Sequence, residues 1–299
     1  MTTMIERMRE ELVRRSFSPS ATRTYVHAVE AFQRWAGKPL EELGPDDMRR
    51  YHLYLLEERK LANATIVLCI SALRFLYVRV LKRRDMKEDL PYPKRQKKLP
   101  VVLSSEEVGR LIDSAKNLFH RAMLMTLYAA GLRRSELCRL KVANIDSQRM
   151  MLRVEQGKNR VDRDVPLSNE LLLTLREYWR WMRPKTYLFP GTVDNWRADK
   201  PITSKVVWEA VREATLKAGI QKRVTPHTLR HTYATHLLEA GADLRTIQLL
   251  LGHADLSHTT VYLHLSQKHL QAAPNPLTQI KVSGTAQVPR SRKLQRFEE

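Results

Sequence analysis

The 299-residue chain is long enough to bury one or two hydrophobic cores, and 43% of its residues are hydrophobic, as in ordinary globular proteins. Lysine and arginine number 52 and acidic residues 32, so the net charge of +20 favours a polyanionic partner, with a ribosomal or membrane-surface protein as the alternative. No apolar run approaches the length that crosses a bilayer, so we expect no membrane partner. The N-terminus lacks a secretory apolar stretch, which predicts a cytoplasmic protein, on the nucleoid in a bacterium.

Apolar residues at helical spacing mark the N-terminal part of the chain. Residues 1 to about 85 are predicted to be helical, with helices over 20–35, 45–59 and 63–81 and no strand. The third of these helices is mostly apolar, which places it at the centre of the bundle. Cys69 in this helix and Cys138 further on are interpreted as core thiols, because two cysteines make no convincing disulfide framework.

Residues 82–100 interrupt the helices with three prolines and clusters of lysine and arginine. This composition predicts an extended basic linker that could run along a duplex, and a solvated surface loop is the alternative. The cationic side chains that we expect to contact DNA here are Lys94, Arg95, Lys97 and Lys98.

A second domain is predicted to begin where Ser104 and Glu107 form a capping-box signature ahead of an apolar helix. Gly131 suits the stop of a helix at 118–130, and strands at 150–155 and 163–167 are predicted to flank a turn at 157–159. The other predicted helices lie at 134–139, 168–182, 203–218, 227–240, 243–250 and about 257–264. The polar tail from Pro274 is expected to be flexible in isolation.

Polar residues recur at the ends of these helices, where packing alone would not require them. Arg133 and Glu136 stand at the start of one predicted helix, and His227 and Arg230 share a face at the start of another. His253 follows the end of a third helix, and Tyr262 lies nine residues later. A phosphodiester under attack gathers negative charge that guanidinium groups match in geometry. A tyrosine hydroxyl needs help to lose its proton, and a leaving 5′ oxygen needs a proton donor. Each signal is weak alone, but their order and spacing together indicate phosphoryl transfer to tyrosine.

Four stretches of the chain resemble the signature boxes of tyrosine recombinases of the phage-integrase and Xer type. They are GLRRSEL, the hairpin GKNRVDRDVPL, TPHTLRHTYATHLLEAGADLRTIQLLLGH and HADLSHTTVYLHLS. Two further stretches are similar to the family more loosely. The core-binding domain of the family is similar to SPSATRTYVHAVEAFQRWAG, and its interdomain linker is similar to LPYPKRQKKLPVVLSSEEV. The resemblance spans nearly all of residues 15–270.

The resemblance implies a role for each matching residue. Arg133 and Arg230 would clamp the scissile phosphate, and Tyr262 would be the nucleophile that forms a 3′-phosphotyrosyl link. Lys158 would be the general acid toward the 5′ oxygen. His227 would assist proton transfer, and the third-box histidine would hydrogen-bond the phosphate. That third-box histidine is His253, and Glu136 would support the pocket. We also expect Arg134 to bind DNA. The hairpin lacks the second glycine and second lysine frequent in the family, which leaves Lys158 as its candidate lysine.

The resemblance also implies the architecture and the assembly. We expect a mainly α fold with a small antiparallel sheet, made of a helical SAM-like core-binding domain at 1–90 and an α-rich catalytic domain at 103–272. A basic linker at 91–102 joins them, and a flexible or partner-docking tail follows at 273–299. The two domains would close around double-stranded DNA with an inverted-repeat core site. The protein would form a homotetramer in the synaptic complex and a monomer or dimer off DNA.

Other kinds of function share part of this pattern. A DNA-binding module without catalysis would need the basic linker but not the six pocket positions. A type IB topoisomerase would share the chemistry but relax supercoils as a monomer. His227 and His231 are four residues apart, as in a zinc helix, yet no HExxH motif, cysteine or carboxylate completes a site. We therefore expect neither metal nor cofactor.

Overall fold

The computed structural model describes residues 3–83, 86, 90–93, 99–155, 162–193 and 196–265. The chain divides into two compact units, Met1–Lys98 and Leu99–Glu299. The boundary between the units lies inside the segment that the sequence analysis assigns to a linker. Each unit has its own hydrophobic core, and each is described below by itself.

The described residues of the first unit form helices joined by loops and contain no strand. Its helices are α1 (Met4–Arg14), α2 (Pro19–Ala36), α3 (Pro45–Leu53) and α4 (Asn63–Arg74), and α3 and α4 continue as π-helical segments at Tyr54–Glu58 and Phe75–Val80. Local sequence sets the helix ends. Ser18 caps α2 through the backbone N–H of Ala21, with a proline in the first turn, and Gly37 ends the helix in the left-handed conformation at φ 66°.

The core of the first unit forms where α2 packs on α4. Aromatic rings extend it, with Phe32 and Tyr51 at a centroid distance of 4.8 Å and Trp35 and Tyr51 at 5.0 Å. Burial of these rings explains the aromatic spacing that predicted the helices. The predicted helical, strand-free character of this part of the chain is confirmed for its described residues.

The segment Asn63–Val80 is long and apolar enough to cross a membrane by length and composition. The expectation that no run reaches this length is therefore wrong. The core helix of a soluble protein passes the same test, and Ile66, Ile70 and Leu73 are buried inside this unit. We attribute the apolar composition to that core position.

The described residues of the second unit form α5 to α12 and five short strands. Its helices are α5 (Ser105–Asp113), α6 (Leu118–Ala129), α7 (Arg134–Arg139), α8 (Asn169–Met182), α9 (Ser204–Lys217), α10 (Pro226–Glu239), α11 (Leu244–Leu251) and α12 (Ser257–Thr260). Two 3-10 turns, Val142–Asn144 and Val261–His264, complete the helical elements. The predicted mainly α fold with a small antiparallel sheet is confirmed.

The strands described in this unit form two antiparallel sheets. One sheet consists of β1 (Ile145–Asp146), β2 (Met151–Val154) and β3 (Arg163–Pro166), in which Leu152 lies opposite Val165. The other sheet consists of β4 (Pro190–Val193) and β5 (Trp196–Pro201). Strands β1, β4 and β5 were not predicted. Their sequences are short or rich in Pro, Gly and charged residues, so they lack the apolar alternation by which strands are recognised.

The core of the second unit is built on α6, on which α5, α8, α9 and α10 all pack. α10 begins at Pro226 under a Thr225 cap that accepts from the backbone N–H of Thr228. Its buried face carries polar residues, among them Arg230 and Thr232. Buried polar groups require partners, so this face needs neighbours that can hydrogen-bond. Both cysteines are free and buried, as predicted.

Candidate active site

The C-terminal end of α11 gathers three arginines from distant parts of the chain. The last carbonyls of a helix have no partner within it and carry its negative end. Arg163 donates to Leu250 O at 2.6 Å, Arg230 donates to Leu251 O, and Arg133 donates to Gly252 O at 3.1 Å. Gly252 ends the helix in the left-handed conformation, at φ 62°, which leaves its own carbonyl available. Three consecutive carbonyls thus hold three guanidinium groups together.

Glu136 is the carboxylate at the centre of this cluster. Its oxygens accept from Arg133 at 2.6 Å and from Arg163 at 2.8 Å, and the Arg230 guanidinium lies 3.9 Å away. Glu136 also accepts from the backbone N–H of Arg133, so it caps α7 as well. Burial alone would raise the pKa of the carboxyl, but the hydrogen bonds and charges of Arg163 and Arg133 outweigh it and lower the pKa to about 2. Glu136 is therefore ionised at neutral pH.

Arg230 is the most deeply buried member of the cluster, with 1% of the residue exposed. It donates to Gly131 O at 2.8 Å as well as to Leu251 O. Burial and the charge of Arg133 lower the pKa of its guanidinium to about 9, so it remains cationic at neutral pH. The three guanidinium groups face a single carboxylate, which leaves an excess positive charge that suits an anion such as a phosphate.

Tyr262 lies on the 3-10 turn after α12 and is 1% exposed. Its hydroxyl is 3.1 Å from Nδ1 of His231, one residue after Arg230 on α10. Burial raises the pKa of the phenol, and the charges of Arg230 and Arg133 oppose that rise. The arginine cluster therefore stabilises a phenolate at this position relative to an apolar core.

Two further histidines surround the tyrosine. The ring of His253 stacks on the Tyr262 ring at 6.4 Å, and its Nδ1 is 3.0 Å from the Thr259 hydroxyl. His227 is exposed at the start of α10, with its ring 4.2 Å from that of His231. Burial and the Arg230 and Arg133 charges lower the pKa of His253 to about 3 and also lower that of His227. Both rings are therefore neutral at pH 7 and can act as acceptors.

The predicted pocket residues meet at this place as far as they lie in the described part of the chain. Arg133, Glu136, Arg230, His253 and Tyr262 are joined by the contacts given above, and His227 adjoins them through His231. Arg134 is exposed at the first position of α7. The other predicted site residues lie outside the described part of the chain. They are Lys158 in the hairpin and, in the linker, Lys94, Arg95, Lys97 and Lys98.

Sequence reasoning missed two members of the site, Arg163 and His231. Arg163 alternates inward with Val165 on β3, and a charged residue on the buried face of a strand was the signal available. His231 was considered only as a partner of His227 in a metal site. No group of three or more His, Cys, Asp or Glu side chains in the described residues is placed to hold a metal ion.

Gly131 makes the turn that delivers Arg133 to the cluster. It adopts φ 53°, and a Cβ at this position would overlap the Tyr233 ring. We expect Gly131→Ala to lower the free energy of unfolding by more than the about 1–2 kcal/mol that left-handed backbone costs an L-residue. Gly219→Ala is the matched control, because φ is 65° there and no atom lies within 4 Å of the added Cβ. Urea unfolding of both variants measures the difference, and equal losses would show that the Tyr233 contact is unimportant.

The chain matches known proteins over both units. Residues 101–269 match the phage integrase family and residues 4–86 the N-terminal SAM-like domain of phage integrases. A putative integrase/recombinase, y4qK of Sinorhizobium fredii, is 47% identical over 92% of this chain and 89% of its own length. Tyrosine recombinase XerA of Thermococcus kodakarensis is 36% identical over 86% of this chain and 88% of its own.

A solved structure supports the fold. The crystal structure of a lambda integrase tetramer bound to a Holliday junction superposes with a TM-score of 0.71, at 20% identity, over 89% of this chain and 77% of that one. At this identity the likeness concerns the fold alone. Together with the family matches, it agrees with a helical domain followed by an α-rich catalytic domain.

The fold and the two matching domains define a DNA strand-breaking and rejoining enzyme. The chain belongs to the phage integrase family and is a tyrosine recombinase. Site-specific recombination is the function of this class.

Proposed function

We propose that the chain cuts one DNA strand through Tyr262, which becomes linked to the 3′ phosphate while the 5′ hydroxyl leaves. The observation that carries this proposal is the position of the buried Tyr262 hydroxyl, 3.1 Å from Nδ1 of His231 and beside an excess of guanidinium charge. The phosphotyrosyl bond conserves the energy of the broken phosphodiester. A 5′ hydroxyl from the partner duplex then attacks it, which rejoins the strands.

Arg133 and Arg230 bind the non-bridging oxygens of the scissile phosphate in this proposal. The carbonyls of Gly131, Leu251 and Gly252 accept hydrogen bonds from these two side chains. Arg230 and Tyr262 are each 1% exposed. The end of α11 and the 3-10 turn that carries Tyr262 must therefore move before a phosphate can reach them. Once such a donor faces the phosphate, it stabilises the transition state by about 2.7–4 kcal/mol.

The remaining residues complete the reaction. Lys158 acts as the general acid for the 5′ oxygen, and His227 assists proton transfer near the nucleophile. His253 hydrogen-bonds the phosphate, and Glu136 holds the arginines without reacting, as its contacts with Arg133 and Arg163 favour. No metal or nucleotide cofactor takes part, because the guanidinium groups supply the positive charge.

The DNA partner is a duplex core site with two inverted half-sites. Residues 1–90 and 103–272 each bind the duplex, and residues 91–102 link them. Phosphates are contacted by Lys94, Arg95, Lys97 and Lys98 of this linker and by Arg134. The net charge of +20 supports this. Four protomers form the synaptic complex, as the lambda integrase tetramer on its Holliday junction suggests. The tail at 273–299 docks on a neighbour, and the enzyme works in the cytoplasm on nucleoid DNA.

A nicked suicide substrate tests this proposal, because it traps the covalent adduct. The wild-type protein is expected to give a DNA adduct on a denaturing gel, with or without EDTA. Tyr262→Phe is expected to shift DNA on a native gel but to give no adduct. Tyr187→Phe, a half-buried tyrosine outside the pocket, is the matched control and retains the adduct. An adduct with Tyr262→Phe, or its loss in EDTA, would contradict the nucleophile or the metal-free mechanism respectively.

A further inference from the structure

A groove on the surface of the second unit runs along α8 and shares no residue with the arginine cluster. It encloses about 400 Å³ and is open to solvent between α8 and the segment of the 3-10 turn and β1. α8 directs Leu172, Leu175 and Trp179 into it, because residues three and four positions apart share one face of a helix. The other apolar residues that line the groove are Val142, Ile145 and Leu188.

The floor and the edge of the groove differ in exposure. Leu172 and Leu175 are 7% and 2% exposed and form the floor, whereas Trp179 is 39% exposed at the edge. The Arg183 guanidinium lies over the Trp179 ring, 4.4 Å from its centroid. An indole that continues an apolar groove contributes binding free energy when a partner covers it. The groove therefore has the composition of a contact surface.

The charged residues that line the groove are both arginines, Arg176 and Arg180. Both are exposed on α8. In the part of the chain that the structure describes, no ion pair joins either guanidinium to a carboxylate, and no acidic residue lines the groove. The groove thus combines an apolar floor with positive charge that its described surroundings leave uncompensated. A ligand that is both apolar and acidic complements it.

Three kinds of occupant differ in how well they fit these features. DNA phosphates pair with arginines, but a sugar-phosphate backbone does not fill an apolar floor. The tail at 273–299 has five basic and two acidic residues, so its net charge has the same sign as the groove. A helix with an apolar stripe and acidic flanks satisfies both the floor and the arginines, as in other complexes of a helix in a groove.

We infer that the α8 groove is a docking site for an acidic amphipathic helix of a partner protein. Apolar side chains of that helix cover Leu172 and Leu175 and pack on Trp179. Its carboxylates pair with Arg176 and Arg180 at the rim. Because the groove and the catalytic pocket have no residue in common, a docked partner leaves the pocket free. The inference does not depend on the proposed nucleophile.

A synthetic peptide of about 18 residues, long enough to form a helix, serves as the probe. It carries a fluorescein label, leucines at i, i+3, i+4 and i+7, and glutamates on both flanks. Fluorescence anisotropy with the 299-residue protein should show saturable 1:1 binding. Trp179→Ala and the double variant Arg176→Glu/Arg180→Glu should each raise Kd by about tenfold or more, because Trp and Arg dominate such interfaces. The peptide with lysine in place of each glutamate should not bind.

Arg110→Glu/Arg139→Glu is the matched control, because it changes the net charge equally at two exposed positions outside the groove. Its Kd should stay close to that of the wild-type protein. Equal weakening in both double variants would show attraction to the net charge alone and would overturn the inference. Arg176→Glu/Arg180→Glu and Trp179→Ala should keep the native gel shift and the covalent adduct, which shows that they are folded. Loss of the gel shift in Arg176→Glu/Arg180→Glu would make the groove a DNA surface instead.

Deletion of residues 273–299 separates a partner from the tail of the chain. An unchanged Kd for the peptide supports the partner, whereas tighter binding after the deletion would assign the groove to the tail. Failure of the wild-type protein to bind the acidic peptide would also overturn the inference. None of these results touches the proposed nucleophile, which fails only if Tyr262→Phe still forms the adduct.

Discussion

Arg230→Ala is expected to slow cleavage of a suicide substrate by roughly 10²–10³-fold, which corresponds to loss of one preorganised donor at the transition state. Arg230 is cationic at neutral pH, and in the proposed mechanism its guanidinium fork binds the non-bridging oxygens of the scissile phosphate. Arg230→Lys should recover little of the rate, because a point charge does not reproduce the bidentate geometry. Single-turnover adduct formation at saturating DNA measures both effects.

Arg139→Ala is the matched control for this prediction. Arg139 is exposed at the end of α7 and belongs to the same unit, but it makes none of the contacts of the cluster. Its cleavage rate at saturating DNA should equal that of the wild-type protein. Equal rates for Arg230→Ala and Arg139→Ala would remove Arg230 from the chemistry.

Glu136→Gln is expected to lower the free energy of unfolding by about 3–5 kcal/mol, because it leaves three buried or half-buried guanidinium groups without their carboxylate. Glu155→Gln is the control. Glu155 pairs with Lys141 at 2.8 Å on the surface, where an ion pair contributes about 1 kcal/mol or less. Urea unfolding measures both values, and similar losses in the two variants would show that the buried cluster does not depend on Glu136.

Duplex DNA or sulfate should partly restore Glu136→Gln, because an anion that binds the folded state alone raises its stability. The increase in melting temperature on adding either ligand should exceed that of the wild-type protein. An equal increase would indicate that the excess positive charge is not accessible to anions.

The same carboxylate makes stability depend on pH. Glu136 has a pKa of about 2 in the folded protein, below the value of about 4.3 for an unperturbed glutamate. Its contribution is therefore fully present above the unfolded value and is lost as the pH falls from about 4.3 toward 2. The stability difference between wild type and Glu136→Gln should shrink over that interval.

Much of the fold follows from local patterns. Helix spacing and capping residues predicted α5 from Ser104 and Glu107, and α6 up to its stop at Gly131, because these signals act within a few residues. The β4–β5 hairpin was missed, since its Pro, Gly and charged residues give no apolar alternation and its pairing depends on tertiary context.

The site was predictable only in part for a related reason. Arg133, Arg230 and Tyr262 stand in runs that resemble the signature boxes of tyrosine recombinases, so the sequence indicates them through that resemblance. The partners that fix them are far apart in the chain: Arg163 reaches Glu136 across 27 residues, and His231 reaches Tyr262 across 31. Which of two neighbouring histidines meets the hydroxyl depends on the geometry of α10 against the turn after α12, and spacing alone does not determine it.

The most direct test of the mechanism is to identify the residue that carries the DNA. The trapped adduct can be digested with nuclease and trypsin, and the modified peptide sequenced by mass spectrometry. We predict that the nucleotide is on Tyr262, within the tryptic peptide of residues 246–268, where it is the one tyrosine. A nucleotide on a serine, a threonine or another tyrosine, or on any other peptide, would contradict the account.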